Sequence, residues 1–567
     1  MHPWLLLLTL VFPLSSDGGA LKETPPEPAP AEPALPATGE GASTPERAAL
    51  TPEQVSAALA VAGLEFTEDE INQLLPGALE NLRNYEELRR RSLPNELIPA
   101  LGFTPRLPGV RGVTPSVAGS PVPLPEVARP ADLRELHFAD IPTLASLIRR
   151  REVSCVELTE LFIARLRALD PTLHCVISFT EERALARARD LDAELDEGRW
   201  RGPLHGIPYG AKDLFSVRGT RTTWGARPFV EQEIDVDATV IERLDEAGAI
   251  LIAKLTLGAL AMGDIWYGGK TRNPWNPEQG SSGSSAGSAS AVAAGGVPFA
   301  LGTETLGSIV SPSRRCGNSS IRPTFGRVSR HGAMALCWTM DKIGPMARTI
   351  HDASLVLSAI AGPDGKDPTV SATPCPPAVE MEPKGVRVGV PVGAFRDGMP
   401  HASVLEELES LGVELVEIEL PDFPVWEMMV ILHAEAAAAF DELTRSDLDD
   451  TLTEQGPQAW PNLFRVARLI PAVEYIRANR LRTALCREMD QVLAGVDLLV
   501  VPGGEGRSLG ITNLTGHPCA VAPCGFREDG RPYSATFIGH LEDEARLASF
   551  VAAWQRSTEY HWRHPKL

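Results

Sequence analysis

From about Ala131 onward the sequence alternates stretches of helical periodicity with short apolar runs of strand length. That alternation restricts the chain to an α/β architecture, because each helix and each strand must bury its apolar face against the other kind of layer. Residues 141–169 read as helix. Residues 249–253, 386–392 and 498–501 read as short buried strands, and no internal repeat is visible. With 567 residues the chain is long enough for two to four domains or one large enzyme with a sizeable core. Hydrophobic residues at 43% and charged residues at 22% exclude a wholly disordered, collagen-like or polytopic membrane protein.

Charge narrows the function classes. Fifty-three Lys and Arg stand against 74 Asp and Glu, a net charge of −21. Such a surface repels phosphate backbones, and no basic run of useful size compensates. Arg89-Arg90-Arg91 reads as a solvated helix end. Eight cysteines are too few for a disulfide scaffold in a chain this long, and no CxxC pair or zinc-spaced His cluster occurs. His561 and His564 read as a surface pair.

The N-terminal part has its own composition. Residues 4–14 are apolar apart from Thr9, and Ser15-Ser16-Asp17-Gly18-Gly19-Ala20 follows. A short apolar stretch ending in small residues predicts a signal peptide cut after Ala20, and it is too short for a comfortable membrane span. Residues 21–50 are rich in Pro, Ala and Glu and read as a disordered tether. Residues 51–104 read as a helical extension. Thr51-Pro52-Glu53-Gln54 and Thr67-Glu68-Asp69-Glu70 are helix starts with capping-box spacing. Residues 105–130 read as a Pro-rich linker, and residues 131–567 as the main domain.

The chemistry concentrates between residues 212 and 308. Gly280-Ser281-Ser282-Gly283-Ser284-Ser285-Ala286-Gly287-Ser288 precedes a helical Ala/Val run, so backbone N–H groups and hydroxyls are presented together. A GxSxG nucleophile elbow at residues 283–287 would need a central strand just before it. Asn273-Pro274-Trp275-Asn276-Pro277 argues against one, since proline cannot donate to a sheet ladder. A second apolar run, Val297-Pro298-Phe299-Ala300-Leu301, leads into a small-residue turn that ends at Ser308. Upstream, Gly206-Ile207-Pro208-Tyr209-Gly210-Ala211-Lys212-Asp213 sets a lysine among apolar residues. Desolvation lowers a lysine's pKa and makes it a usable base.

These segments together resemble the amidase signature family. The elements that carry the likeness are Gly206 to Asp213, Gly283 to Ser288, Gly302 to Ile309, Cys316-Gly317, and Arg322-Pro323-Thr324-Phe325-Gly326-Arg327-Val328-Ser329-Arg330. Asn513-Leu514-Thr515-Gly516-His517-Pro518 looks like a further element. The resemblance implies an α/β fold with a large mixed central sheet sandwiched by helices, preceded here by a small helical extension. It implies a triad of Ser308 as nucleophile, Ser284 as relay and Lys212 as base, spaced 72 and 24 residues apart. It also implies an oxyanion hole from the backbone of Thr305, Leu306 and Gly307, and no metal or organic cofactor.

The chain departs from the family pattern in places. Leu306 stands where a second glycine is usual, and would be strained if that position required a positive φ. Glu304 replaces an aspartate, Val310 replaces an arginine, and Asn318-Ser319-Ser320 replaces small apolar residues and glycine. The N-terminal helices, through Ala62 to Glu70, resemble the small helical C subunit of tRNA-dependent amidotransferases. The expected function is a free-standing exported amidase acting on a small-molecule amide, with no nucleic acid, no stable membrane insertion, and a homodimer left open. An amidotransferase A-type subunit working in a complex, and an inactive binding protein keeping the fold, are the alternatives.

Overall fold

The computed structural model describes residues 50–88, 95, 102–107, 119–395, 401–503 and 506–567. The signal peptide and nearly all of the tether expected from the sequence lie outside these residues. Two compact units are present: Met1–Val55 with Thr67–Ser92, and Ser56–Phe66 with Leu93–Leu567.

The first unit contains the helix Glu68–Leu88. It starts where its capping box lies in the sequence. Thr67 N–H donates to Glu70 Oε2 at 2.8 Å, and Glu70 N–H returns to Thr67 Oγ1 at 3.4 Å. The same reciprocal pair, Thr51 with Gln54 at 3.0 and 3.3 Å, opens the helix Pro52–Val61.

The second unit is built on one mixed eleven-stranded sheet. Its strands in chain order are β1 Val176–Phe179, β2 Pro208–Lys212, β3 Ile250–Leu255, β4 Phe299–Glu304, β5 Ser319–Arg322 and β6 Lys342–Ala347, followed by β7 Arg387–Pro391, β8 Glu414–Ile418, β9 Leu498–Pro502, β10 Cys519–Phe526 and β11 Pro532–Gly539. Their order across the sheet is β8-β7-β9-β11-β10-β5-β6-β4-β2-β3-β1. β2 runs parallel to both β3 and β4, while β4 pairs antiparallel with β6. All six residues of β3 are buried, as the continuous apolar run Ile250-Leu251-Ile252-Ala253 requires of a strand covered on both faces. The three strands read from sequence are present, each within two residues of the expected ends.

Residues 141–169 are two helices instead of one, Ile141–Arg149 and Cys155–Leu173. Arg151 between them takes φ 63°, and Ser154 forms a full capping box with Glu157. The side chain of Ser154 offers the backbone a better partner than helix continuation would. His561 is also not a surface residue: it is buried, while His564 stacks on Phe138 at 3.8 Å. The segment at residues 102–107 is a strap. Phe103 packs on Phe325 at 5.2 Å and under the Arg482 guanidinium at 3.4 Å, and Arg106 reaches Ser371 at 3.0 Å.

Beneath β2 and β3 lies a fully buried ion pair, Asp213 Oδ1 to Lys254 Nζ at 2.7 Å. Thr223 donates to the other Asp213 oxygen through both its N–H and its hydroxyl. Lys254→Met leaves that carboxylate buried without its cation and should cost about 3–5 kcal/mol of stability. Adding Asp213→Asn should recover a large part of the loss. Urea unfolding of both variants measures the difference; equal stability of Lys254→Met and the wild type would show that the pair contributes nothing.

Candidate active site

Lys212 is the last residue of β2, at the middle of the sheet, and is fully buried. Its ammonium nitrogen has three hydroxyl partners: Ser284 Oγ at 2.8 Å, Thr303 Oγ1 at 2.8 Å and Ser285 Oγ at 3.2 Å. Burial pushes its pKa down to about 7, against an opposing pull from Asp341 and Glu304. A lysine in this setting is near half-neutral around neutral pH.

Counting donors shows what each protonation state can do. Ser285 Oγ donates to the Thr303 carbonyl at 3.1 Å and accepts from Thr303 N–H at 3.1 Å. Its hydrogen is thus committed, so Lys212 must donate to it. The neutral amine has one other hydrogen, which serves Thr303 Oγ1. Its lone pair then faces Ser284 Oγ and takes the serine's hydrogen. The protonated amine donates to all three. The site therefore satisfies both states, and Ser284 is the partner whose direction of donation reverses.

Ser284 follows a cis peptide bond from Gly283, in the loop that opens the helix Ala286–Ala293. Glycine is required at 283 because a Cβ there would sit 1.8 Å from the Gly263 carbonyl oxygen. The hairpin just before this loop, Arg272–Asn273 with Asn276–Gly280, is a separate two-stranded piece outside the main sheet. It is no central strand, as the two prolines require.

Ser308 lies in the turn after β4, half-buried, two residues before the helix Val310–Cys316. Its carbonyl accepts from Ser285 N–H at 3.1 Å, which brings the turn against the Ser284-Ser285 pair. The structure thus gathers Lys212, Ser284 and Ser308 in one place, with the Lys212–Ser284 contact at hydrogen-bond length. Among the described residues no side-chain hydrogen bond joins Ser308 to Ser284 in this ligand-free state, where such bonds are commonly long. The backbone N–H groups of Thr305, Leu306 and Gly307 likewise donate to no described residue, so they are free for a ligand. Leu306 is unstrained: the positive φ of the turn falls on Gly307, at 89°.

The turn owes its shape to Glu304, a residue whose role the sequence does not reveal. One carboxylate oxygen accepts from Ile309 and Val310 N–H at 2.8 and 2.9 Å. The other accepts from Arg322 at 2.8 Å and Asn513 Nδ2 at 2.9 Å. Burial raises this carboxyl, but Arg322 and the N–H donors overcome it and hold it at about 2. The longer glutamate spans from strand to helix start. Asn513 and Arg322 lie in the family-like segments of the sequence, and here both hold the Glu304 carboxylate. Thr305 Oγ1 donates to Asp341, whose other oxygen accepts from Leu336 and Cys337 N–H. Asn318 is satisfied by the Ala289 carbonyl at 2.8 Å and Ser319 by that of Arg348 at 2.8 Å. Beside Thr303 and Thr305 opens a cavity of about 60 Å³, walled by Leu214, Met334, Trp338 and Ile343.

A central lysine hydrogen-bonded to a serine, with a second serine on a turn of free N–H groups, is the layout of a serine hydrolase that uses lysine in place of histidine. The Amidase family model matches residues 157–548, and the chain belongs to the amidase signature family. It is 36% identical to the A subunit of glutamyl-tRNA(Gln) amidotransferase from Chloroflexus aurantiacus, over 77% of this chain and all of that relative. Among solved structures it is similar to the native peptide amidase of Stenotrophomonas maltophilia, at 29% identity and TM-score 0.68, covering 76% of this chain and 99% of that one. The A subunit of the Thermotoga maritima glutamyl-tRNA(Gln) amidotransferase superposes with TM-score 0.64 at 26% identity, covering 77% and 99%. The chain is thus an amide hydrolase by family.

Removing the Glu304 charge tests the turn. Glu304→Ala leaves Arg322 buried without its anion and should cost about 3–5 kcal/mol. Because the carboxyl is held below its ordinary 4.5, the stability it contributes is full above that value and drains as pH falls toward about 2. Unfolding measured between pH 6 and pH 3 should show a shallower acid loss for Glu304→Gln than for the wild type; parallel curves would exclude this role.

Proposed function

We propose that the protein hydrolyses a carboxylic amide through an acyl-enzyme on Ser308, with Ser284 as proton relay and Lys212 as base. The observation that carries this reading is the 2.8 Å contact from the buried Lys212 nitrogen to Ser284 Oγ. Neutral Lys212 takes the Ser284 proton while Ser284 takes that of Ser308, so the attacking oxygen becomes nucleophilic as its bond to the carbonyl carbon forms. The oxyanion is met by N–H groups of residues 305–307, each worth about 3 kcal/mol in the transition state. The same chain of hydroxyls then returns a proton to the leaving nitrogen. Water attacks the ester by the same route, which frees Ser308. The cavity beside Thr305 is the place for the substrate's acyl side.

A second reading, an A-type subunit that works within a complex, is supported by the full-length similarity to the amidotransferase relative. Hydrolysis of simple amides by the purified chain alone would favour the free-standing enzyme. We also propose export, on the strength of the apolar stretch at residues 4–14 and the small residues that follow. N-terminal sequencing from an exporting host should then find Leu21 first, and recovery of intact Met1 in the cytosol would rule export out.

The pH profile of kcat/KM on a reactive anilide tests the mechanism. Lys212 must be unprotonated to act, so activity should fall about tenfold per pH unit below its value of about 7. Lys212→Ala should lower the rate by several powers of ten and remove that limb. Lys212→Arg should not rescue, because guanidinium stays protonated. Ser308→Ala should abolish labelling by a fluorophosphonate. A Lys212→Ala variant with near-normal activity and the same limb would make Lys212 a structural lysine.

A further inference from the structure

The fold also assembles a basic cavity of about 270 Å³ that no run in the sequence announces. Arg314 and Arg315 come from the helix Val310–Cys316, and Arg527, Arg531, Tyr533 and Ser534 come from the β10–β11 hairpin. No Asp or Glu is found among the described lining residues, although the whole chain carries −21. Arg531 has an acidic partner on the hairpin, Asp529 at 2.6 Å, and it also donates to Gln279 at 3.0 Å. The Arg527 guanidinium lies over the Tyr533 ring at 4.6 Å, which fixes it at the cavity wall.

A second feature points to a ligand. Ser534 is fully buried and lines the cavity, yet its hydroxyl has no hydrogen-bond partner among the described residues. A buried hydroxyl without a partner costs free energy unless something polar meets it. The volume admits an anion of several heavy atoms with some water, since one ordered water needs only about 10–15 Å³. Four arginines line one volume, with Asp529 beside one of them, and the planar fork of arginine matches phosphate and carboxylate oxygens two at a time.

We propose that this cavity binds a small multivalent oxyanion, a phosphate or carboxylate compound with at least two negative charges, held by Arg315, Arg527 and Arg531 with the Ser534 hydroxyl as a further donor. No residue of the proposed triad lines the cavity, and anion binding there does not depend on the amidase mechanism. A long nucleic acid is a poor occupant, because the chain's net charge of −21 would repel it.

Calorimetric titration of the full-length protein with inorganic pyrophosphate, and separately with citrate, tests the proposal against sodium chloride of equal ionic strength. One-to-one binding of either compound is expected, together with a rise in melting temperature that chloride does not give. Pyrophosphate alone would mark a phosphate compound as the ligand class, citrate alone a polycarboxylate, and both the shared oxyanion chemistry. Arg315→Gln with Arg527→Gln should weaken binding at least about tenfold, because each removes a charge-assisted contact. Arg189→Gln, on an exposed helix position elsewhere, should not. No binding beyond that of chloride, or unchanged affinity in the double variant, would overturn the site whether or not the protein proves to be an amidase.

Discussion

Burial of a single amine at the centre of the sheet is the constraint on which the rest of the site depends. Lys212 is completely enclosed, and a charged ammonium there would be costly without partners. The structure supplies three hydroxyls instead of a carboxylate. A carboxylate at ion-pair distance would have held the proton and pushed the pKa up. Hydroxyls accept from the cation and also serve the neutral amine, so the proton can leave. The neighbouring Lys254 shows the contrast: from the adjacent strand it reaches the Asp213 carboxylate at 2.7 Å in a buried ion pair.

A second buried charge organises the other half of the site. Glu304 closes a loop of six residues by accepting from Ile309 and Val310, and ties that loop to Arg322 on β5 and Asn513 near the C-terminus. Arg322 in turn donates to the His517 carbonyl at 2.8 Å. One carboxylate therefore joins elements more than 200 residues apart. A rigid turn matters because N–H groups stabilise an oxyanion only when they are already aimed at it, without reorganisation during reaction. Full neutralisation by arginine is what makes such a deeply buried carboxylate tolerable.

The legibility of the sequence follows the range of the interactions. Both N-terminal capping boxes form where Thr51-Gln54 and Thr67-Glu70 stand, because a cap involves residues three apart. The box at Ser154-Glu157 is equally local, and it divides residues 141–169 where helical periodicity alone reads straight through. Leu306 reads as a source of strain, but which residue of a turn takes the positive φ depends on how the turn is pinned. Glu304 fixes the chain at 309 and 310, and Gly307 absorbs the φ. His561 reads as half of a surface pair with His564, while its burial is decided by the rest of the fold.

The sequence by itself determined the α/β class, the helix starts and the buried strands, and its resemblance to the amidase signature family singled out Lys212, Ser284 and Ser308. The first three rest on periodicity, local capping or residue type, and the last on short motifs, all of them properties of short segments. Tertiary structure alone decided that Ser285 and Thr303 complete the lysine's shell, that Glu304 is the clamp of the turn, and that arginines from separate segments meet around one cavity. These depend on which strands become neighbours, and β4 meets β2 only because the sheet order places Phe299–Glu304 beside Pro208–Lys212. Sheet order is settled by the packing of the whole core, and no segment of the chain carries it.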